Sequence, residues 1–366
     1  MKKITFLLVT GALLIGLPLA GALYSGNEIS DYTEFPPLTM HVEHAPFSWT
    51  MFGITSLLIL VVILPFDLHA IRYRISSGPS RKADHTSTKF PIWGWFGIAL
   101  TLTTWFLAWT RLDWFTPFQK YTFSPIWIGY IIAVNALTYK RRGTCLLTNT
   151  PIYMLKLSLA SAIFWWFFEY LNRFVQNWVY IGISDLSPTQ YFIFASLPFA
   201  TVLPAVMSTA ELLESFPQSA AGLQNFIRIN TKQRRAAATA ILLLASLGLA
   251  GIATHPDLLY PLLWIAPLLI ITSLQTISGQ PTIFSPVRNG NWQRIYIMAC
   301  AALICGGFWE LWNFGSVAKW IYTVPYVNRF KIFEMPLLGF AGYIPFGLEC
   351  AVIADLLKPA KESDKQ

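Results

Sequence analysis

The chain has few cysteines and few charged residues, and each scarcity excludes a class of protein. Only four of the 366 residues are cysteine and no Cys-x-x-Cys pair occurs, so we expect no disulfide framework, zinc ribbon or covalently attached haem. Charged residues make up 12%, about half the share of an ordinary soluble domain. No glycine-rich nucleotide loop, HExxH motif or Ser-His-Asp spacing is evident. The sequence therefore predicts no metal site and no cofactor.

Long apolar segments are abundant in the chain. Hydrophobic residues make up 55%, and the mean hydropathy is +0.50. Apolar runs long enough for a hydrocarbon layer of roughly 30 Å recur throughout, and no soluble domain fits between them. We predict an all-α polytopic transmembrane bundle of about ten spans, near residues 4–23, 47–65, 92–110, 123–137, 154–170, 191–213, 236–253, 258–274, 295–312 and 332–357.

The net charge of +8 is explained by membrane topology. The basic residues are dispersed over short loops, Arg81 and Lys82 among them, and form no single stripe, so no nucleic-acid partner is expected. In the ten-span scheme twenty Lys and Arg lie on one side and six on the other. The positive-inside rule then predicts a bacterial inner-membrane protein whose C-terminus is cytoplasmic. Residues 1–24 are interpreted as a signal anchor or, alternatively, a cleaved signal peptide.

One pattern of residues occurs twice. Each copy places an asparagine three residues after a glutamate, then a Trp-x-Tyr triplet, then a proline with a second glutamate thirteen residues beyond it. The copies are Glu169, Asn172, Trp178-Val179-Tyr180, Pro198 and Glu211, and Glu310, Asn313, Trp320-Ile321-Tyr322, Pro336 and Glu349. We predict two four-span repeats of the same orientation, related by an axis along the membrane normal. The predicted divisions are 25–90 (lead-in), 91–216 (repeat 1), 217–235 (basic loop), 236–357 (repeat 2) and 358–366 (polar tail).

The intramembrane glutamates are the candidate catalytic residues. Acidic side chains are costly within a bilayer and usually face a protein interior or a wet cavity. Glu310 and Glu169 would form an acid–base pair, and Asn313 and Asn172 would orient them, because residues three apart share a helical face. The alternative is structural: the acids bind backbone N–H groups or an outer-loop cation, namely Arg173, Lys319 or Arg329.

The second set of candidates would bind a ligand. Aromatic faces attract positive charge, including a developing carbocation, although interfacial anchoring is a competing explanation for any single ring. Prolines within spans free backbone groups that must find partners in the protein or in a cavity. The predicted ligand-binding residues are Trp320, Tyr322, Trp178, Tyr180, Pro336, Pro198, Glu349 and Glu211.

The order of acid, Trp-x-Tyr, loop and proline-led span resembles the repeat of the membrane-embedded lycopene cyclases of the heterodimeric bacterial and archaeal type. Glu310, Trp320-Ile321-Tyr322 and Pro336 carry the resemblance, and the first copy carries it more loosely. That family protonates and cyclises a carotenoid without net redox chemistry, using acids that follow a proline. Here Phe199-Ala200-Thr201 and Leu337-Leu338-Gly339 stand at those positions. The resemblance thus implies an aromatic-lined cleft for a long apolar isoprenoid or lipid.

Three functional hypotheses follow. The leading one is a lipid- or isoprenoid-binding membrane protein, with acid–base catalysis left open. The second is a secondary transporter, because its two repeats contain proline-interrupted spans. The third is a non-catalytic subunit with partners in a membrane complex. The stretch His41-Val42-Glu43-His44 forms either an interfacial polar turn or part of a metal or haem site.

Overall fold

A computed structural model describes residues 3–37, 39–77, 88–216 and 218–358. Of the described residues, 71% are helical, and almost none are in sheet. Eight helices in the described ranges are long and apolar enough to cross a membrane. The predicted all-α, multi-pass membrane architecture is confirmed at this level. Arg81, Lys82 and residues 359–366 of the predicted tail lie outside the described residues.

Each predicted span overlaps one or two long helices. The long helices are α1 (Lys3–Tyr24), α2 (Trp49–Ser77), α3 (Ile92–Trp109), α4 (Phe123–Arg142), α5 (Pro151–Val175), α6 (Pro188–Phe199), α7 (Val202–Glu214), α8 (Arg234–Gly251), α9 (Leu262–Ile277), α10 (Gln293–Phe314) and α11 (Tyr343–Leu357). Helices α4 and α9 occupy two predicted spans but are not among the eight, and α9 has only 16 residues. Short helices are Ser30–Thr33, Leu146–Asn149 and Pro256–Leu259, with 3₁₀ turns at Asp113–Tyr121, Leu223–Asn225, Ser285–Asn289 and Leu337–Gly342.

Local sequence signals set several helix boundaries. Pro151 occupies the first turn of α5, where its missing N–H costs nothing. The same helix ends at Gln176, whose left-handed backbone (φ 46°) lets its N–H bond the Asn172 carbonyl. Helix α6 begins with a capping box between Ser187 and Gln190. These signals fix both sides of the loop that connects α5 to α6.

Helices α5, α7, α10 and α11 form the centre of the bundle, with α7 packed on α5 and α10, and α11 packed on α10, α5 and α9. Peripheral pairs flank them: α3 packs on α4, and α8 packs on α9 and α1. The α3–α4 contact depends on two glycines. A Cβ on Gly97 would lie 2.9 Å from the Gly129 carbonyl oxygen, and a Cβ on Gly129 would lie 2.9 Å from that of Gly97. Small residues thus allow close backbone approach, as is usual between membrane helices.

Helix α2 stands at the edge of the bundle. None of the residues in its spanning window is buried, and its main contacts are with the two 3₁₀ turns Leu337–Gly342 and Leu223–Asn225. Its apolar side chains are exposed, for example Leu58 at 63% and Val61 at 62%. Exposed apolar surface of this extent on a spanning helix is suited to contact with lipid.

The Trp-x-Tyr triplets form strands that the sequence analysis did not predict. β1 (Trp178–Ile181) pairs antiparallel with β2 (Lys319–Tyr322), so that Trp178 lies opposite Tyr322 and Tyr180 lies opposite Trp320. A second, shorter pair joins β3 (Lys331–Ile332) to β4 (Met335–Pro336). We call the end of the bundle that carries β1 and β2 the strand face. The predicted span 332–357 therefore begins in strand and 3₁₀ turn, and becomes α-helix only at Tyr343.

Candidate functional site

Glu169 is fully buried near the end of α5 and is surrounded by aromatic donors. Its Oε1 atom accepts hydrogen bonds from Trp165 Nε1 at 2.9 Å, Trp178 Nε1 at 3.1 Å and the Tyr180 hydroxyl at 2.6 Å. Trp165 lies one turn before the acid on the same helix, whereas Trp178 and Tyr180 come from β1. Strand β1 is thereby bound to α5 through a single carboxylate oxygen.

Glu310 has the same environment on α10. It is fully buried, and its Oε1 accepts from the hydroxyls of Tyr322 and Tyr343, both at 2.8 Å. Trp320 donates to the Tyr322 hydroxyl at 2.8 Å and so extends the chain of hydrogen bonds by one residue. Tyr343, at the start of α11, packs against Gly306, where a Cβ would lie 2.4 Å from its ring. We call each glutamate with its aromatic donors an acid–aromatic unit.

Each acid uses one oxygen only. Within the described ranges, Oε2 of Glu169 and Oε2 of Glu310 are buried and have no hydrogen-bond partner. A buried polar atom without a partner is uncommon in native structures and calls for a proton, water or ligand. Two of the cations that were considered as alternative partners of these acids have other partners. Arg173 donates to the Asp31 and Glu34 carbonyls, and Lys319 pairs with Glu334.

The two asparagines hold the strands. Asn172 accepts from the Trp178 N–H at 3.4 Å and donates to its carbonyl at 2.9 Å; Asn313 does the same for Trp320 at 2.9 and 2.8 Å. Neither asparagine has a hydrogen bond to a glutamate among the contacts of the described chain. Each amide fixes the backbone of the strand whose side chains bind the acid, and the role of the asparagines in orienting the acids stays a prediction.

A cavity of about 610 Å³ lies between the two acid–aromatic units. Its wall is mostly apolar and includes side chains from α2, α6, α7, α9 and α11 and from both strands. The rings around it contact one another; for example, Trp309 stacks on Tyr343 at 5.9 Å, and Trp165 meets Phe346 edge-on at 5.8 Å. Five tryptophans line it: Trp165, Trp178, Trp264, Trp309 and Trp320.

The predicted ligand-binding residues divide into two groups. Trp178, Tyr180, Pro198, Trp320 and Tyr322 line the cavity. The lining does not include Pro336, Glu211 or Glu349, nor does it include Glu169 or Glu310. The two central acids instead lie behind the first layer of rings. A proton moving between either acid and a cavity ligand would therefore pass through a lining hydroxyl such as Tyr180 or Tyr322.

Glu211 and Glu349 both bind backbone away from the cavity. Glu211 accepts from the Leu146 N–H at 2.9 Å, at the start of a short helix. Glu349, buried within α11, accepts from the Leu268 N–H at 3.1 Å. Leu268 follows Pro267, an internal proline of α9 that interrupts regular helical bonding. The position of Glu349 thus explains how a proline-disturbed helix satisfies a buried N–H.

Several residues of the site were not predicted. Trp165 and Tyr343 complete the hydrogen bonding of the acids, and Lys120 and Lys319 line the cavity near the strand face. Trp165 precedes Glu169 by four residues, a spacing that places both on one helical face and was available in the sequence. Tyr343 carries no comparable signal in the sequence. It lies seven residues after Pro336, and the residue seven positions after Pro198 in the first copy is Ala205, which cannot donate a hydrogen bond from its side chain.

The histidine stretch serves to attach the segment that precedes α2. His44 Nδ1 lies 2.7 Å from Asp257 Oδ1, and its Nε2 lies 3.2 Å from the Gln176 carbonyl oxygen. Asp257 also accepts from the Ala45 N–H at 3.0 Å. The described residues contain no group of three or more His, Cys, Asp or Glu placed to hold a metal ion. These contacts support the polar-turn interpretation of the stretch.

No protein-family model matches the chain, and neither the curated proteins nor the solved structures include a detectable match. The resemblance to the lycopene cyclases therefore stays a prediction, and the site has to be interpreted from its own geometry.

Proposed function

We propose that this protein binds a lipid or isoprenoid in the cavity between its two acid–aromatic units. One observation carries the proposal: a single, mostly apolar cavity of about 610 Å³ is lined by both Trp-x-Tyr triplets. Ligand pockets typically have this size, an apolar lining and a few convergent polar groups. An apolar ligand of the bilayer matches such a wall.

The proposal includes the two-repeat organisation. The packing is paired throughout: α3 on α4 matches α8 on α9, α4 on α7 matches α9 on α11, and α7 on α10 matches α11 on α5. Trp127 packs on Trp309 at 5.0 Å and Trp264 packs on Phe168 at 5.0 Å, each beside a unit glutamate. The pairing of β1 with β2 is symmetric, because the Trp of each strand lies opposite the Tyr of the other. These pairs support two repeats around one pseudo-two-fold axis, with the cavity at their interface.

The glutamates act in this proposal by positioning the cavity wall. Each carboxyl fixes the polar ends of two or three aromatic side chains, whose rings then present fixed faces to the ligand. A carboxylate behind a phenol also increases the electron density of the ring, which favours cationic character in the ligand. Isoprenoid cyclisation, as the resemblance implies, would use such faces to stabilise a carbocation, with Tyr180 or Tyr322 relaying the proton.

Access from the bilayer is consistent with the position of α2. Its residues Thr55, Leu58, Ile59, Val62 and Ile63 form one wall of the cavity, although the helix itself has little contact with the bundle. A ligand dissolved in the membrane would reach the cavity beside this wall without crossing water. With the basic loops cytoplasmic, the strand face would lie on the outer side of a bacterial inner membrane.

The proposal is tested by mass spectrometry of apolar molecules that copurify with the protein. The blocking variant is Ile59→Trp, which adds a ring to the cavity from a helix whose spanning window has no buried residue, so that folding is preserved. Ile54→Trp is the matched control, on the same helix outside the cavity lining. We expect a specific lipid or isoprenoid with the wild type and the control, and its loss in the blocking variant. Equal amounts in all three proteins would contradict the proposal.

The second candidate function is a transporter, and the interrupted helices favour it. Helix α6 ends at Phe199 and α7 begins at Val202, while the turn Leu337–Gly342 precedes α11; both interruptions border the cavity. Broken helices at the interface of two repeats are the usual site of transporter substrates. Cysteines placed beside Pro198 and Pro336 would then be labelled alternately from each side of the membrane. Labelling from one side only would count against transport.

A further inference from the structure

The polar groups of the cavity are concentrated at one end. Two lysines belong to the lining, Lys120 from the Asp113–Tyr121 turn and Lys319 from the start of β2. The ring of Phe123, three residues after Lys120, meets the ring of Trp320, next to Lys319, edge-on at 5.5 Å. The two ammonium groups are therefore on neighbouring segments at the strand face.

Both lysines are half-buried and held in place by an acid. Lys120 Nζ lies 2.6 Å from Asp185 Oδ2, and Lys319 Nζ lies 2.5 Å from Glu334 Oε1; their side chains are 20% and 21% exposed. The hydrogen bond to Asp185 raises the pKa of Lys120, so this group stays cationic. An ammonium has three donors. In the described structure Lys120 uses one of them on a carboxylate, and Lys319 uses one on Glu334 and one on the Phe314 carbonyl.

The acidic partners do not face the cavity. Neither Asp185 nor Glu334 belongs to its lining, whereas both lysines do. The other acids nearby, Glu169 and Glu310, are fully buried behind the aromatic rings. The two lysines are therefore the charged side chains that the described lining offers to an anion.

The rest of the cavity extends away from the lysines along the helices. Helix α2 starts at the strand face, where the Ser48 N–H bonds the Tyr326 carbonyl at 2.9 Å, and its lining residues run from Thr55 to Ile63. Eight residues of helix correspond to about 12 Å. Val202 and Leu348 belong to the same apolar wall. The cavity is thus a channel parallel to the helices, cationic at one end and apolar beyond it.

We propose that the ligand of this cavity is an anionic amphiphile, whose carboxylate or phosphate head binds Lys120 and Lys319 while its single apolar chain lies along α2 and α11. This inference rests on the proposed function and adds the chemical class of the ligand to it. A neutral hydrocarbon would leave the lysine donors unused. A free anion would leave the aromatic channel empty.

The test uses quenching of the five lining tryptophans by brominated chains in the detergent-purified full-length protein. The probes are dibromostearic acid, at a pH at which it is ionised, and the dibromo alcohol of the same chain. Each lysine contributes a charge-assisted hydrogen bond, so we expect the acid to bind at least tenfold more tightly than the alcohol, about 1.4 kcal/mol. Lys120→Gln and Lys319→Gln should remove most of this preference by weakening acid binding much more than alcohol binding. The matched control is Lys331→Gln, an exposed lysine on β3 outside the lining.

The outcomes separate the two proposals. Equal affinity for acid and alcohol, or a similar loss for both probes in the lysine variants, would overturn the anionic head while leaving an apolar ligand. Displacement of the acid by inorganic phosphate alone, at concentrations that do not displace the alcohol, would show a free-anion site and would also overturn it. Absence of saturable quenching by either probe would overturn the proposed function itself. Saturable alcohol binding in a lysine variant shows that its cavity is intact.

Discussion

Replacing each unit glutamate by leucine tests whether the aromatic donors depend on it. Leucine has a similar volume, so the substitution removes hydrogen-bond acceptors without opening a large void. Glu310→Leu leaves two phenols without their acceptor, whereas Glu169→Leu leaves two indoles and one phenol. Both substitutions also remove one buried oxygen that has no partner among the described residues, which is a gain.

The magnitudes follow from counting these atoms. A buried polar group that loses its partner costs about 1–3 kcal/mol. Glu310→Leu leaves two hydroxyl groups without an acceptor and removes one unpartnered oxygen, so the net decrease in the free energy of unfolding should be about 1–3 kcal/mol. Three lost partners less one predicts about 2–6 kcal/mol for Glu169→Leu. The amide variants Glu310→Gln and Glu169→Gln keep the Oε1 acceptor and should lose less than about 1.5 kcal/mol each.

The assay is unfolding by titration with a denaturing detergent, followed by far-UV circular dichroism. Glu214→Leu is the control, because this half-exposed acid at the end of α7 lies 4.0 Å from Arg142 and should change stability by less than about 1 kcal/mol. The expected order of destabilisation is Glu169→Leu, then Glu310→Leu, then the amides. Leucine variants as stable as the wild type, or amide variants as unstable as the leucine ones, would refute this account of the units.

Three further predictions concern single contacts, each measured by the same unfolding titration. Asn313→Ala removes both hydrogen bonds to the Trp320 backbone and should lower the free energy of unfolding by about 1–3 kcal/mol. It should also weaken binding of the brominated alcohol, and unchanged binding would show that Asn313 does not hold β2 in place. Glu349→Leu should lower stability by about 1–3 kcal/mol because the buried Leu268 N–H loses its acceptor, whereas Glu349→Gln should be nearly neutral. Gly129→Leu should cost about 1–3 kcal/mol or more, since a Cβ there meets Thr101 Oγ1 at 2.5 Å; a neutral effect would show that α3 and α4 can separate.

The helices of this protein were predictable because the bilayer constrains them strongly. A chain that crosses hydrocarbon has to satisfy its backbone internally, so long apolar runs such as 295–312 become helices regardless of tertiary contacts. The same rule does not apply at the strand face. Trp178–Ile181 and Lys319–Tyr322 are four-residue strands whose partners are about 140 residues apart in sequence, and no local pattern specifies such a pairing.

The site was predicted in part for a similar reason. Intramembrane acids are conspicuous in a sequence, so Glu169 and Glu310 were identified, and the repeated triplets pointed to four of the cavity aromatics. Lys120 was interpreted only as a topological charge of an outer loop, and Lys319 also as an alternative partner of the central acids. Their second position, in the wall of a cavity, depends on how Lys120 and Lys319 fold back over the strand face. The bonds of the asparagines to the strand backbone were not predicted, because helical spacing specifies a shared face and not the partner on it.

The difference between the two units indicates what each has to provide. The position four residues before the acid holds Trp165 in the first unit and Gly306 in the second; the position seven residues after the proline holds Ala205 and Tyr343, respectively. A bulky donor thus comes from α5 in one unit and from α11 in the other. Because Tyr343 occupies the space that Gly306 leaves open, the exchange preserves volume as well as the hydrogen bond. The two units therefore bond their carboxyls with different residues from different helices. What they share is an aromatic donor on each carboxyl, and this indicates that the donor is required but its position in the sequence is not.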